Sequence, residues 1–356
     1  MAFNKRVATL ITFGGLLALF ILPTTVGAST TTLNMLVVGA GGAGGAYLGA
    51  GGGGGQVIST TTTVSTLGTT TITVATGTVA SAYTVQNTVG ATSSAFGFIA
   101  YGGGGGADSN SQTPKNGSSG GGAGGFAGGR TPGTGTAGRG YNGGSIITAA
   151  NYSSAGGGGA GGLGGDVPSG STQGSGIGGI GGLGIFNSIS GISFEYGCGG
   201  AGTGNGSPQI YSCNGSSTNN LAGISGLPGS GRGGNGGGET GVVATYRGGN
   251  GGSGVVIISY PTAEMTATGG TVTTSGANTI HTFTTSGNFV VTSFITPPEP
   301  PAVVSYYLDD NMQKIGTTQV AWIESFYTKY WPFILSFAIV AGFGFSLSRI
   351  FGKIIK

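Results

Sequence analysis

The chain has 356 residues, 84 of them glycine, and only 6% are charged, for a formal net charge of +3. Glycine at about 24%, against about 7% in an ordinary domain, excludes long helical bundles, because each interior glycine costs a helix about 1 kcal/mol relative to alanine. The glycines cluster and proline is sparse, which excludes a collagen rod, and one histidine, two cysteines and nine acids leave so few proton-transfer groups that no enzyme is expected.

Lys5 and Arg6 precede an apolar run from Val7 to Leu22, followed by Pro23 and small residues. Val26 and Ala28 suit a small-residue cleavage site, so 1–28 reads as a secretory signal peptide cut after Ala28; an uncleaved N-terminal anchor is the competing reading. No charged residue occurs from Val7 to Ala107. Within that interval LNMLVV (33–38), QVISTTTTV (56–64), TTTITVA (69–75), VASAYTVQNTV (79–89) and AFGFIAY (95–101) are rich in threonine, valine and alternating apolar residues, and they predict strands.

From about 102 to 254 the chain consists of glycine tracts broken by polar loops. In GIGGIGGLG (176–184) the repeat is three, which places Ile177, Ile180 and Leu183 along one edge of an extended helix with three residues per turn. A flexible Gly/Ser linker is the alternative, since ordering each backbone residue costs about 1–2 kcal/mol. The interleaved Ile and Leu residues with Phe126, Phe186 and Phe194 favour packing instead. Further on, GVVIISY (254–260) predicts a strand, and IHTFTTSGNFVV (280–291) reads as a hairpin turning at Ser-Gly-Asn.

Residues 297–301, PPEPP, form a stiff spacer, and 303–330 reads as an amphipathic stem. From Tyr330 to Ser348 there are 19 uncharged residues, about 28 Å as a helix and close to a hydrocarbon core of about 30 Å. Tyr330 and Trp331 sit where an interfacial aromatic belt is expected, and Arg349, Lys353 and Lys356 hold the other end in the cytoplasm. The net charge thus belongs to the termini: residues 29–330 carry seven basic and nine acidic residues, with no basic face for nucleic acid. The resulting organisation is a signal peptide (1–28), a glycine-rich β/polyglycine ectodomain (29–262), a β-hairpin module (263–296), a Pro linker and stem (297–329), a transmembrane helix (330–348) and a basic tail (349–356). In class it is mainly β with a polyglycine II-type helical bundle and a single C-terminal transmembrane α-helix.

Several motifs could carry chemistry. Gly39-Ala-Gly-Gly-Ala-Gly44 fits a dinucleotide fingerprint, but that mechanism needs a helix next and an acid about 20 residues on. Here AYLGAGGGGG follows, and the first acid is Asp108, so no cofactor is expected. RGGNGG occurs at Arg232 and again at Arg247, too few copies for an RNA-binding tract; each arginine is placed on the rim of a glycine tract. Cys198 and Cys213 are a disulfide candidate in an oxidising compartment, with two free thiols as the alternative and no partners for a metal site. His281 reads as a strand-face residue without a catalytic partner. Asn116, Asn151, Asn205 and Asn214 begin glycosylation sequons, which arise by chance in such loops.

The blocks MLVVGAGGAGG, NTVGATSSAFGFIAYGGGGG, GTGTAGRGYNGG, SSAGGGGAGGLGG, EYGCGGAG and GGNGGSGVVIISYP follow one another in order. Together they resemble the glycine-rich domain of phage tail and adhesin proteins and of assorted bacterial and archaeal surface proteins. ATGGTVTTSGANTIHTFTTSGNFVV resembles the β-module that accompanies it, so the likeness covers about 33–293. The resemblance implies a β-sandwich-like base in which strands 33–38 and 254–260 meet, and a bundle of polyglycine-type helices with variable loops at the far end. In phage relatives those loops touch the host receptor. The two membrane signals depart from that pattern and suit a membrane-derived virion or a cell envelope. The expected function is therefore surface attachment or display, as a virion-associated adhesin; the alternative is an architectural envelope protein without a receptor. The expected partners are the membrane, a host-surface receptor (protein or glycan) and other virion or envelope proteins, with self-association left open. Tyr141, Asn142, Tyr152, Tyr211 and Asn214 are the receptor-contact candidates, because tyrosine and asparagine suit adaptable polar recognition.

Overall fold

The alternation of Leu33, Met35 and Val37 with Leu36 and Val38 on the other side is the seed of the architecture, since successive strand residues point to opposite faces. The structure is a computed structural model that describes residues 30–80, 88–109, 113–125, 130–147, 152–167, 176–204, 222–238 and 247–295. It is mainly β, with no helix among the described residues. The predicted signal peptide (1–28), stem, transmembrane segment (330–348) and basic tail lie outside the described residues, and so do Phe126, Asn151, Asn205, Tyr211, Cys213 and Asn214.

The described residues form twelve strands: β1 (Thr31–Val38), β2 (Val57–Val64), β3 (Gly68–Ile72), β4 (Ser93–Ala95), β5 (Phe98–Ala100), β6 (Ile185–Asn187), β7 (Phe194–Tyr196), β8 (Val255–Pro261), β9 (Met265–Thr268), β10 (Thr271–Ser275), β11 (Asn278–Phe283) and β12 (Gly287–Phe294). One sheet has the order β10-β11-β8-β1-β2 and a second has β3-β12-β9. The opening strand β1 and the closing strand β8 pair antiparallel, from Asn34 with Ser259 to Val38 with Val255, as the resemblance implied. Leu33, Met35 and Val37 share one buried cluster with Val256, Ile258 and Tyr260, and with Ile72, Met265, Phe289 and Val291 from the second sheet. The two sheets are thus packed face to face across that core. Leu36 and Val38 turn the other way and pack with Ile257, Ile280 and Tyr196, under the small hairpin of β6 and β7. That hairpin was not read from the sequence; its only signal was the pair of short aromatic-bearing segments, Ile185-Phe-Asn and Phe194-Glu-Tyr, on either side of Ser190-Gly191.

Residues 280–291 do not form the expected hairpin. β11 pairs with β8 and β10, whereas β12 pairs with β3 and β9, so the chain crosses from one sheet to the other at Thr284–Ser286. The reason lies in the aromatics: Phe283 and Phe289 are both in the inter-sheet core, which needs one from each side. Ser286 secures the corner by accepting the Val74 N–H at 3.0 Å. The hairpin that does form is β10–β11, with Gly276 at φ 57°, the positive value a two-residue loop asks of its first position. The predicted strand at 79–89 is likewise absent at its described positions.

Beyond the sheets the glycine tracts lie side by side and exchange backbone hydrogen bonds with a repeat of three. In 49–56, Ala50, Gly53 and Gln56 donate to Ala107, Gly104 and Tyr101; Gly51 and Gly54 donate to Ala155 and Gly158; Gly52 and Gly55 donate to Gly234 and Gly231. The same tract accepts from Gly42 and Gly45, from Gly122, and from Gly200 and Thr203. Six other segments therefore surround it, three receiving its N–H groups and three supplying donors. A Cβ on Gly53 would overlap the carbonyl of Ser119, and one on Gly54 the carbonyl of Gly197; close approach of backbones is what requires glycine here. The packing expectation is corrected in one respect. Ile180 and Leu183 are 38% and 66% exposed and Phe186 is 68% exposed, so the tracts are held by backbone bonds, with these apolar side chains on the rim.

Candidate recognition site around Arg139

The loop before Tyr141 is tightly built. Thr136 accepts the N–H groups of Arg139 (2.9 Å) and Gly140 (3.2 Å), and Gly138 takes φ 75° to close the turn. Two side-chain amides pin its approach: the Asn116 Oδ1 accepts from Thr134 N–H and the Asn142 Oδ1 from Gly135 N–H, each at 2.8 Å. These bonds replace a ladder that a glycine-rich loop does not have.

Arg139 lies over the ring of Tyr101, with its guanidinium carbon 3.9 Å from the centroid. Tyr101 directly follows β5 and is fixed by two bonds with Gln56, accepting at 2.9 Å and donating its N–H to the side-chain Oε1 at 3.2 Å. Among the described residues the guanidinium has no hydrogen-bond acceptor and no carboxylate in reach, so the stack on Tyr101 is what orients it. On one side is a groove of about 510 Å³ lined by Tyr141, Asn142, Leu163 and Ile185. On the other is a groove of about 540 Å³ lined by Tyr101, Asn116, Thr134 and Thr136. Arg139 borders both.

Of the sequence candidates, the structure brings Tyr141 and Asn142 together; Tyr141 is 47% exposed. Tyr152 is half-buried and lines neither groove. Tyr211 and Asn214 lie outside the described residues. Sequence reasoning missed Arg139 and Tyr101, whose only signal was a lone arginine between two glycines in TAGRGYNGG.

The remaining motifs have structural roles. The N–H groups of Gly39 to Gly44 are all taken up by carbonyls, those of Gln56, Ala91, Gly252, Gly53, Thr88 and Gly249 in turn; none is left to cradle a phosphate. Arg232 is half-buried and donates to the carbonyl of Glu195 at 3.3 Å while lying over the Phe194 ring, so its partner is strand β7 and not a loop carbonyl. Cys198 is buried and disulfide-bonded. Among the described residues no cluster of three or more His, Cys, Asp or Glu comes together, and no helix is long and apolar enough to cross a membrane; the predicted anchor residues Tyr330, Trp331, Arg349, Lys353 and Lys356 lie outside that set.

His281 is fully buried between the sheets. Its Nδ1 is 2.7 Å from the Gly269 carbonyl and its Nε2 is 3.1 Å from the Tyr260 hydroxyl. The carbonyl can only accept, so Nδ1 carries the hydrogen and Nε2 accepts from Tyr260. Burial lowers the His281 pKa, partly opposed by the Gly269 carbonyl, while burial raises that of Tyr260. Both rings thus stay neutral. A folded-state value below the unfolded 6.5 means that the unfolded chain binds more protons as pH falls through that range. Stability from this pair is expected to be complete above about pH 6.5 and to decline below it. Urea unfolding at pH 7 and at pH 5 should show the loss, and His281→Phe should flatten the slope even if it lowers stability throughout. An unchanged slope in the variant would assign the acid sensitivity elsewhere.

Compared with known families, the chain matches the glycine-rich domain over residues 21–261. The chain belongs to the glycine-rich domain family. No curated protein and no solved structure matches it. The matched part of the glycine-rich domain ends where β8 ends, yet β8 is paired with β11, and β3 with β12. The folded unit therefore extends past the family boundary, to Phe294 at least.

Proposed function

We propose that this glycine-rich domain protein is a membrane-anchored surface protein carried on a virion, where it acts as an adhesin for a host-surface receptor, protein or glycan. In this reading the tracts are polyglycine II-type helices, a C-terminal helix at 330–348 anchors the chain, and the loops at the bundle surface make the contact. The observation that carries it is the Arg139–Tyr101 stack between two adjoining grooves, with Tyr141 exposed beside it. Arginine and tyrosine bring large, preordered contact area, and the pinned loop leaves little entropy to lose on binding.

The test has two parts. Mass spectrometry of purified particles should find the chain among the virion proteins. Arg139→Ala combined with Tyr141→Ala should lower binding of the protein to host cells more than about tenfold with an unchanged melting temperature. Equal binding by the variant, or particles that lack the chain, would leave an architectural envelope protein as the better account.

A further inference from the structure

On the outer face of the five-stranded sheet, paired positions line up across four strands. Asn34 on β1 pairs with Thr61 on β2 and with Ser259 on β8, and Ser259 pairs with Ile280 on β11. Leu36 and Ile257, the next pair along that face, pack against Phe194 and Tyr196 of the β6–β7 hairpin. The turn of that hairpin crosses the sheet. At one end Asn187 donates its Nδ2–H to the Ser59 hydroxyl at 3.1 Å, and its Oδ1 accepts the Ile189 N–H at 2.9 Å. At the other end a Cβ on Gly191 would lie 2.9 Å from the Ser275 hydroxyl of β10. Turn and sheet together bound a groove of about 410 Å³, a size within the roughly 300–1,000 Å³ of small-molecule sites.

We propose that this groove is a binding site for a neutral saccharide, separate from the two grooves beside Arg139, with which it shares no lining residue. Ser259 carries the argument. It alternates with Ile258 and Tyr260, which enter the inter-sheet core, so it stands on the groove side of β8. It is only 4% exposed, yet its hydroxyl has no hydrogen-bond partner among the described residues, and neither have the side-chain amides of Asn34 and Asn278 that line the groove with it. A buried hydroxyl needs a partner, and here the partner must come from the groove. No charged residue lines it, so an ion drawn in would lose its water without gaining a counter-charge. Amides and hydroxyls offer both donors and acceptors, which complements the hydroxyls of a sugar, and Ile189 and Ile280 supply apolar surface for the ring C–H groups. The strands of the floor, β1, β8 and β11, are each paired on both sides, so an extended peptide finds no backbone ladder to join.

The experiment applies the full chain, in a detergent without a sugar head group, to an array of neutral hexose and N-acetylhexosamine oligosaccharides beside uronate- and sialate-bearing ones. Melting temperature is recorded in parallel. The wild type should be retained by neutral members. Ser259→Ala with Asn34→Ala should weaken that retention by more than about tenfold without lowering the melting temperature, because neither side chain has a protein partner to lose. If the pair does destabilise the chain, Asn278→Ala alone should weaken the same retention with the fold kept. Arg139→Ala with Tyr141→Ala should leave it unchanged, which separates this groove from the receptor site proposed above. Retention by no neutral oligosaccharide, retention by acidic ones only, neutral binding that survives the groove variants, or its loss with the Arg139 and Tyr141 pair would overturn the proposal.

Discussion

Gly53→Ala is expected to abolish cooperative unfolding of the domain or to lower its stability by at least about 3 kcal/mol. Inserting a methylene into a packed core ordinarily costs about 1–3 kcal/mol, because side chains shift to make room. Here the obstruction is the Ser119 carbonyl, itself accepting from Gly104, and moving it disturbs the neighbouring tract as well. Gly68→Ala is the control. It adds the same methyl in β3, where nothing lies within 4 Å, and it should be neutral or stabilising by about 0.4–1 kcal/mol. Chemical denaturation of both variants decides the matter. Similar losses would mean that glycine is needed here for flexibility and not for close approach.

Phe289→Ala should cost about 3–5 kcal/mol, the range for deleting a buried phenylalanine. Phe289 is fully buried on β12 and touches both sheets: its ring is edge-to-face with Tyr260 at 6.4 Å, His281 at 5.1 Å and Phe96 at 5.9 Å. Removing it opens a cavity and leaves the Tyr260–His281 pair without its cover. Phe186→Ala, at a site 68% exposed, should change stability by less than about 0.5 kcal/mol. Thermal unfolding of the two variants is the measurement; comparable shifts would relocate the core away from the sheet interface.

What could be read from residues alone follows from how local each signal is. Leu33, Met35 and Val37 announce a strand with one buried face, and the repeat of three at Ile177, Ile180 and Leu183 announces an extended tract. Which tract lies beside which could not be read, because each presents the same donors and acceptors; the choice is made by the strands and turns that join them. The reversal at Tyr47 and Leu48, both at positive φ, sets 39–45 against 49–56 and has no glycine to mark it. The sequence Ser286-Gly-Asn288 was misread because a hairpin and a sheet-to-sheet corner use the same turn chemistry, and only the burial of Phe283 and Phe289 in one core separates them. At the candidate site, Tyr141 and Asn142 were legible as loop residues of suitable type. Tyr101 was read as the end of a strand, since the stacking of Arg139 on it joins residues far apart in the chain.

The central tract has a consequence for the order of folding. Its donors wait for carbonyls as distant as Gly231 and Gly234, and β1 waits for β8. A nascent chain that ends before about residue 237 cannot complete the ladder around 49–56, and one that ends before about residue 260 cannot complete the sheet beneath it, so the early glycine segments must stay open until the last third of the domain has emerged. Long-range closure of this kind makes folding slow. For the interval before closure, solubility rests on the polar loops and on the glycine itself, which offers little apolar surface for chains to share.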